Sequence, residues 1–299
     1  MLSITYEVFF EVASYKSFSK AAEALYISQP AVSKQIKKLE SNLEIQLIER
    51  KGNTIELTSS GERLFNYLHK AKSIQSHIES DMAIIKNQRT ARGTLKIGAS
   101  TTISLYVMPK ILSAFHRKFP DVKLLLINRN SENILKSLID REIDIAIIEA
   151  HYKINAVHFQ PFMNDEIIPV CSASSPYCKK EISLSEIKDV PIAFRERGSG
   201  THSVVQKCLE SKSIRMGDLN VIARLGGTEA LKNFLIEDKC IGFLSRLAVV
   251  KELQSGTLRE VKVKSLRIDR KFEFVMRKGE EGAGVTKFFV KEAKSTYNQ

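Results

Sequence analysis

Between Gly61 and Gly93 the chain runs without a glycine or a proline. Leu64, Leu68, Ala71, Ile78, Met82 and Ile85 recur there at the alternating 4-3 spacing of a helix seam. Gln75 takes the missing seam position and Ile74 lies beside it. The pattern predicts one helix of about 30 residues, about 45 Å long. An apolar seam on an otherwise polar rod has to be covered, either by a second copy of the chain in a coiled coil or by the chain's own second domain. Thr58 or Ser59 is the expected cap, because Ser59-x-x-Glu62 matches a capping box. The rod therefore divides the chain into residues 1–58, a connecting segment 59–92 that ends in a linker at Arg89 to Gly93, and residues 93–299.

Residues 1–58 read as short helices in quick succession. Tyr6, Phe9, Phe10 and Ala13 lie at helical spacing. Ser19 is the expected N-cap of a second helix through Ala21, Ala22 and Leu25. After a break at Tyr26-Ile27-Ser28, a third helix starts near Ser28 with Pro30 in its first turn, where a missing N–H is harmless. Val32, Ile36 and Leu39 share one face of it, and Gln29, Ser33, Lys34, Lys37 and Lys38 take the others. Residues 50–57, with Gly52-Asn53 between extended pieces, read as a small hairpin or wing. Two helices with small residues at their contact and a tight turn between them have the form of a helix-turn-helix, whose second helix enters the DNA major groove. Gln29, Ser33 and Lys34 would then reach base edges. Lys37, Lys38, Arg50 and Lys51 are better placed for phosphates, and Ser19, Ser28 and Pro30 complete the DNA-facing set. A plain helical bundle with a solvated charged face fits the same periodicity.

After the linker, strands and helices alternate. TLKIGA, VKLLLI and DIAII are strands in a βαβ series with a parallel sheet, the first leading through Ser100-Thr101-Thr102 into a helix to about Phe119. A second series starts near Asp165 and includes EIIPVC, PIAFR, LNVIARL and IGFLS, with helices from Thr201 and Thr228. The final strand and helix, about 271–297, return to the first series. The expected fold is therefore α/β. Lobe 1 spans about 93–161 and 267–299, lobe 2 about 162–266, and two crossing strands join them around a cleft.

Composition narrows the function. The net charge of +12 suggests a polyanionic partner. Residues 1–92 hold 13 Lys/Arg against 10 Asp/Glu, and the rest of the chain 33 against 24, so the excess lies outside the helix-turn-helix and the motif has to carry the DNA reading. No apolar run approaches the ~20 residues of a membrane span, and the N-terminus lacks the form of a signal peptide. A cytoplasmic protein with no membrane partner is expected. The four cysteines, Cys171, Cys178, Cys208 and Cys240, form no CxxC pair and read as small buried hydrophobes. No metal cluster, phosphate loop or Ser-His-Asp order is seen, so no cofactor, no metal and no enzymatic activity are expected.

The residues Phe9-x-x-Val12-Ala13, Ser17-Phe18-Ser19-x-Ala21-Ala22-x-x-Leu25, Ser28-Gln29-Pro30-Ala31-Val32-Ser33-x-Gln35-Ile36-x-x-Leu39-Glu40, Leu43, Leu47, Glu49-Arg50 and Leu57-Thr58-x-x-Gly61-Glu62 closely resemble the LysR-type transcriptional regulators. Glu44 and Ile48 depart from the pattern, standing where that family usually has Gly and Phe. Arg195-Glu196-Arg197-Gly198-Ser199-Gly200-Thr201, Gly227-Thr228-Glu229-Ala230 and Ile241-Gly242 resemble its later motifs, so the likeness covers essentially the whole chain. The resemblance implies a winged helix-turn-helix, a linker-helix dimer, usually assembled as a tetramer, and a two-lobed domain of the periplasmic-binding-protein type that takes a co-inducer. The expected partners are double-stranded DNA, a small-molecule effector and other copies of the chain, with RNA polymerase a further candidate.

Two segments read as anion sites on their own chemistry. Ser100-Thr101-Thr102 and Ser199-Gly200-Thr201 each follow a strand and open a helix, whose free N–H groups attract negative charge. Ordinary helix capping would use the same residues. Arg195 could pair with a carboxylate or sulfate, or with acidic groups near Glu196. Glu149, His202 and Thr228 complete the expected effector set, and the effector is expected to be an anion. Two rivals differ in class. A non-sensing architectural DNA binder would have a cleft sealed with apolar side chains. A peroxide sensor would need a cysteine near Ser199 to partner Cys208, and none is present.

Overall fold

Val8, Phe9 and Val12 of helix α1 (Ile4–Tyr15), Ala21 and Ala22 of α2 (Phe18–Leu25), and Val32, Ile36 and Leu39 of α3 (Gln29–Leu43) meet in one buried cluster. The two alanines let α2 lie close against its neighbours, as the helix-turn-helix pattern requires. The computed structural model describes residues 2–51, 54–86, 93–149, 154–281 and 284–297, in two compact units, Met1–Met82 and Ala83–Gln299.

In the first unit the cap of α2 is Ser17, not Ser19. Ser17 is extended and its hydroxyl accepts from Lys20 N at 3.3 Å, while Ser19 stands exposed inside the first turn. Starting the helix at Phe18 brings that ring onto the core, which decides the boundary. Ser28 caps α3 as expected, accepting from Ala31 N at 3.4 Å. Tyr26 closes α2 in the left-handed region, and its N–H bonds the carbonyls of Ala22 and Glu23.

Glu44 explains the first departure from the family pattern. It caps α3 at φ 53°, a conformation that costs a side-chain-bearing residue about 1–2 kcal/mol and that glycine adopts freely. The chain is then pinned by Glu40, whose Oε1 accepts from Leu47 N at 2.8 Å and Ile48 N at 3.1 Å. Strands β1 (Ile48–Lys51) and β2 (Thr54–Leu57) pair antiparallel, with Ile48 opposite Leu57. The hairpin thus starts two residues earlier than the sequence suggests, because Ile48 joins the core. The Gly52-Asn53 turn and the side chains of Arg50 and Lys51 lie outside the described residues.

Helix α4 (Ser59–Lys86) has 28 residues. Its cap is Thr58, one of the two expected residues, whose Oγ1 accepts from Gly61 N at 3.0 Å; Ser59 is the first helical residue, and Gly61 at the third position has no side chain to complete a capping box. Gly61 is required here, since a Cβ would come within 2.1 Å of Leu47 O. The seam divides in two. Leu64, Phe65 and Leu68 pack into the unit's own core. Beyond them Ile74, Ile78 and Met82, spaced by four residues, are 59%, 55% and 56% exposed. The side chain of Ile85 and the linker residues 87–92 are outside the described residues.

The second unit contains, in order, β3 (Gly93–Ser100), α5 (Thr101–Tyr106), α6 (Met108–Lys118), β4 (Val122–Arg129), α7 (Ser131–Ile139), β5 (Ile145–Glu149), β6 (Val157–Ser172), β7 (Glu181–Ile182), β8 (Ile192–Arg195), α8 (Gly200–Glu210), β9 (Val221–Leu225), α9 (Thr228–Glu237), β10 (Ile241–Ser245), α10 (Arg246–Ser255), β11 (Leu258–Glu260), β12 (Lys262–Val263), β13 (Ile268–Arg277) and α11 (Gly284–Tyr297). The single helix expected after Ser100 is broken at Val107, just before Pro109. One sheet runs in the order β4-β3-β5-β13-β6-β10-β8-β9, with β11 added on β6.

The long strands β6 and β13 carry this sheet from one half to the other. They pair antiparallel from Val157↔Arg277 to Ile167↔Ile268. The Phe272–Val275 segment of β13 also pairs with β5, and the Ile167–Cys171 segment of β6 pairs with β10. The sequence reading starts the second series near Asp165, whereas the strand already begins at Val157 and includes Pro161. The strand continues through it with a register shift opposite Phe272/Glu273, a bulge of the kind that accommodates proline. Separate apolar clusters fill each half, one around Phe115, Phe274 and Phe289, the other around Ile192, Phe194 and Phe243.

Glu44→Gly is expected to stabilise the first unit by about 0.5–1 kcal/mol, the left-handed penalty removed less the extra entropy glycine loses on folding. Thermal or urea melting of the variant should give a higher midpoint; a lower one would contradict the assignment of strain to this residue.

Candidate effector cleft and DNA-facing surface

In the first unit, Gln29, Pro30, Lys34, Lys37 and Lys38 are exposed along α3, Ser33 is half-buried, and Ser28 is exposed at its start. Ser19 is exposed on α2. Arg50 and Lys51 lie on β1. Tyr26, 95% exposed in the turn between the two helices, joins this surface. Sequence reasoning treats Tyr26 only as a turn residue. The signal was a large aromatic in a turn where nothing could bury it.

In the second unit the cleft is built where strands end and helices begin. The C-terminal end of β3 supplies Ser100, that of β5 supplies Glu149, and that of β8 leads to Arg195. Helices α5, α7, α8 and α9 start at Thr101, Ser131, Gly200 and Thr228. Ser100, Thr101, Thr102, Asn130, Ser131, Glu149, Arg195, Ser199, Gly200 and Thr201 line one shared space, too small to admit a water molecule. All are polar or glycine, so the cleft is closed by hydrogen-bonding groups, not sealed by apolar ones.

Glu149 is at its centre and only 2% exposed. Its carboxylate accepts from Ser131 Oγ, from Ser100 Oγ at 3.4 Å and from Arg270 Nη1 at 2.9 Å. Gly200 packs directly on it: a Cβ there would come within 2.0 Å of Glu149 Oε2. Glycine in the Gly-Ser-Gly-Thr motif thus serves close approach between the two halves as well as helix initiation.

Arg270 is the residue that sequence reasoning missed. It sits on β13 at 3% exposure, its guanidinium between Glu149 and Asp165. Nε donates to Asp165 Oδ2 at 2.6 Å, and Nη2 lies 2.6 Å from the same oxygen as an ion pair, without a well-directed hydrogen bond. Nη1 also donates to Thr201 Oγ1 at 2.9 Å. Ser245 Oγ donates to Asp165 at 2.8 Å, and the guanidinium carbon lies 4.4 Å from the Phe272 ring centre. One cation therefore ties β5, β6, β13 and α8 together. The available signal was an arginine at an inward position of an alternating strand, between Ile268 and Phe272.

Of the two pairings the sequence allows Arg195, the structure holds the one with Glu196. Its Nε and Nη2 pair bidentately with Glu196 at 2.8 and 2.9 Å. Burial opposes ionisation of Glu196, but the hydrogen bonds and charge of Arg195 hold its carboxyl below the usual range. Arg195 Nη1 donates to Thr228 Oγ1 at 2.7 Å and Nη2 reaches Thr101 Oγ1 at 3.5 Å, while Thr102 and Thr228 share a 3.4 Å hydroxyl contact. At the mouth, the Tyr106 hydroxyl donates to Glu229 and accepts from Lys232 Nζ at 3.2 Å. Lys232 also pairs with Glu229 and Glu252, each at 3.0 Å. None of Asn130, Ser131, Tyr106 or Lys232 was expected.

His202 is turned away from the cleft. Its Nε2 lies 3.0 Å from Arg224 Nη1 and its ring meets Phe194 edge-on. Burial, then the charges of Arg224 and Arg197, push its pKa down, so the neutral ring accepts from Arg224. The cysteines differ in burial: Cys171 and Cys240 are buried, Cys178 and Cys208 only partly. Burial pushes the Cys208 thiol up and that of Cys240 up to about 12, the opposite of a reactive thiolate. Among the described residues no group of His, Cys, Asp or Glu is arranged to hold a metal ion, and no helix is long and apolar enough to cross a membrane.

Arg270→Met is expected to destabilise the second unit by about 3–5 kcal/mol, because it leaves two buried carboxylates without their cation. The midpoint of thermal unfolding should fall by on the order of 10 °C. A fall of only a degree or two would show that the triad is not the joint between the strands.

Known proteins repeat this organisation. Residues 5–62 match the bacterial regulatory helix-turn-helix of the lysR family, and residues 88–297 match the LysR substrate binding domain. A probable RuBisCO transcriptional regulator of Phaeodactylum tricornutum is 30% identical over 292 residues, covering 96% of this chain and 94% of its own. Full-length CbnR, solved in complex with its target DNA, superposes with a TM-score of 0.68 at 17% identity over 99% of this chain and 100% of its own. The regulatory domain of Synechocystis CcmR in complex with 2-PG does so with a TM-score of 0.63 at 24% identity, over 70% of this chain and 99% of its own. With both of its family domains matched in order, this chain belongs to the LysR family of bacterial transcriptional regulators.

Proposed function

We propose that α3 reads a specific DNA sequence and that a small molecule held between the halves of the second unit changes that reading. The supporting observation is the cleft lining: Glu149, Arg195, Ser199 and Thr201 are buried and charged or hydroxyl-bearing, with Gly200, the first residue of α8, packed on Glu149. Burying so many polar groups is costly unless they are matched, and apolar side chains would hold a static joint more cheaply. A ligand site has a reason to keep them. The alternative of a non-sensing architectural DNA binder gains nothing from such a lining.

Gln29, Ser33 and Lys34 are proposed to meet base edges, and Lys37, Lys38, Arg50 and Lys51 to meet phosphates, with Ser19, Ser28 and Pro30 alongside. Ile74, Ile78 and Met82 form the stripe through which α4 pairs with a second copy, and dimers of this kind build the tetramer. RNA polymerase is a further proposed partner. The effector presents an anionic group to Arg195 and to the helix starts at Gly200 and Thr228. A regulatory domain of the same fold, that of CcmR, was solved with 2-PG, a precedent for a small ligand in this architecture.

Replacing Gln29, Ser33 and Lys34 together by alanine should remove about 1–3 kcal/mol for each lost bidentate base contact. Affinity for the operator should fall towards that for random DNA, with thermal stability unchanged. The wild type should prefer its operator by at least ~10³-fold. An unaltered preference in the triple variant would overturn the reading.

A further inference from the structure

At the centre of the cleft carboxyl groups outnumber guanidinium groups. Arg195 is already matched by Glu196. Arg270 is shared by two carboxylates, Glu149 and Asp165, both buried. With both ionised, the triad is short of one positive charge. A carboxylate can accept about four hydrogen bonds, and Glu149 receives three, from Ser100, Ser131 and Arg270. Its remaining capacity lies on the side where Gly200 packs. Parting the halves would expose Glu149 with Ser100 and Ser131 on one wall, and Arg195 with Ser199, Thr201 and Thr228 on the other. A ligand that is only an anion meets Arg195 favourably but is repelled by Glu149.

We propose that the effector is a small acid that also carries a hydrogen-bond donor, an ammonium or a hydroxyl: the acid faces Arg195 and the donor faces the Glu149 carboxylate. This rests on the sensing role proposed for the cleft and names the ligand class. The missing positive charge favours the ammonium form. Gly200 keeps the approach to Glu149 free of side chain, so a short donor on a two- or three-carbon acid can reach it. A site built around a buried acceptor rejects a ligand that leaves it unpaired.

Propionate, lactate and alanine differ only in the α substituent, as do acetate, glycolate and glycine. Calorimetric titration of the full-length protein with these six and with sulfate, at fixed ionic strength, tests the proposal. Lactate or alanine, or the two-carbon pair, should bind the wild type at least tenfold more tightly than the matching plain acid. Alanine ahead of lactate assigns an ammonium, and the reverse assigns a hydroxyl. In Glu149→Gln the preference should shrink below threefold while sulfate gains affinity. Gly200→Ala, which brings a methyl onto Glu149, should abolish binding of the preferred ligand; binding that survives it is outside the cleft and overturns the proposal. Equal binding of plain and donor-bearing acids, an unchanged preference in Glu149→Gln, or binding of none of the seven would also overturn it. Operator affinity that still responds to some other ligand would leave the sensing role standing and reject only this ligand class.

Discussion

The guanidinium of Arg270 holds the second unit in the form that makes a cleft. It lies between Glu149 at the end of β5 and Asp165 within β6, and reaches Thr201 at the start of α8. Those elements belong to different halves of one sheet, joined only through β6 and β13 among the described strands. The cation and its carboxylates are buried, so their attraction is little screened by water or salt. The same burial makes every change of partner expensive. A ligand group that entered this network would have to compete with these buried pairs.

The first unit works by a different economy. Its core is apolar and tight, with Ala21 and Ala22 against α1 and α3 and Leu68 of α4 completing it. The polar residues of α3 are left outside, exposed on a helix whose position is fixed by the core and by Ser28 and Glu40. A helix held in this way suits the base reading proposed for it. Only the far stretch of α4 departs from this plan, with Ile74, Ile78 and Met82 presented to solvent as a self-association stripe does.

The fold was legible where periodicity is strong and local. Val32, Ile36 and Leu39 named the buried face of α3, and the alternating series after Gly93 named the parallel strands. Boundaries failed where tertiary contacts decide them. Phe18 moves the start of α2 to Ser17, where Ser19 was expected. The first half of β6 was missed, since a bulge near Pro161 breaks the regular alternation there. The hydroxyl-rich helix starts at Ser100 and Gly200 were visible because their chemistry is contiguous in sequence. Arg270 was not, since its partners lie 121 and 105 positions away. His202 looked like a ligand by adjacency, but a helix turns successive side chains about 100° apart and sends its ring to Arg224. The anion expectation rested on helix N-termini, hydroxyls and Arg195; the sequence did not show that Glu149 lies buried in the middle of them.

In the function proposed above, the state of this cleft governs DNA binding by the first unit. Operator affinity of Gly200→Ala, measured by fluorescence anisotropy against the wild type, tests it most directly, since the added methyl collides with Glu149 and prevents the halves from closing. A folded variant whose operator affinity differs by about 5- to 150-fold matches the expected coupling. A folded variant with wild-type affinity would contradict it.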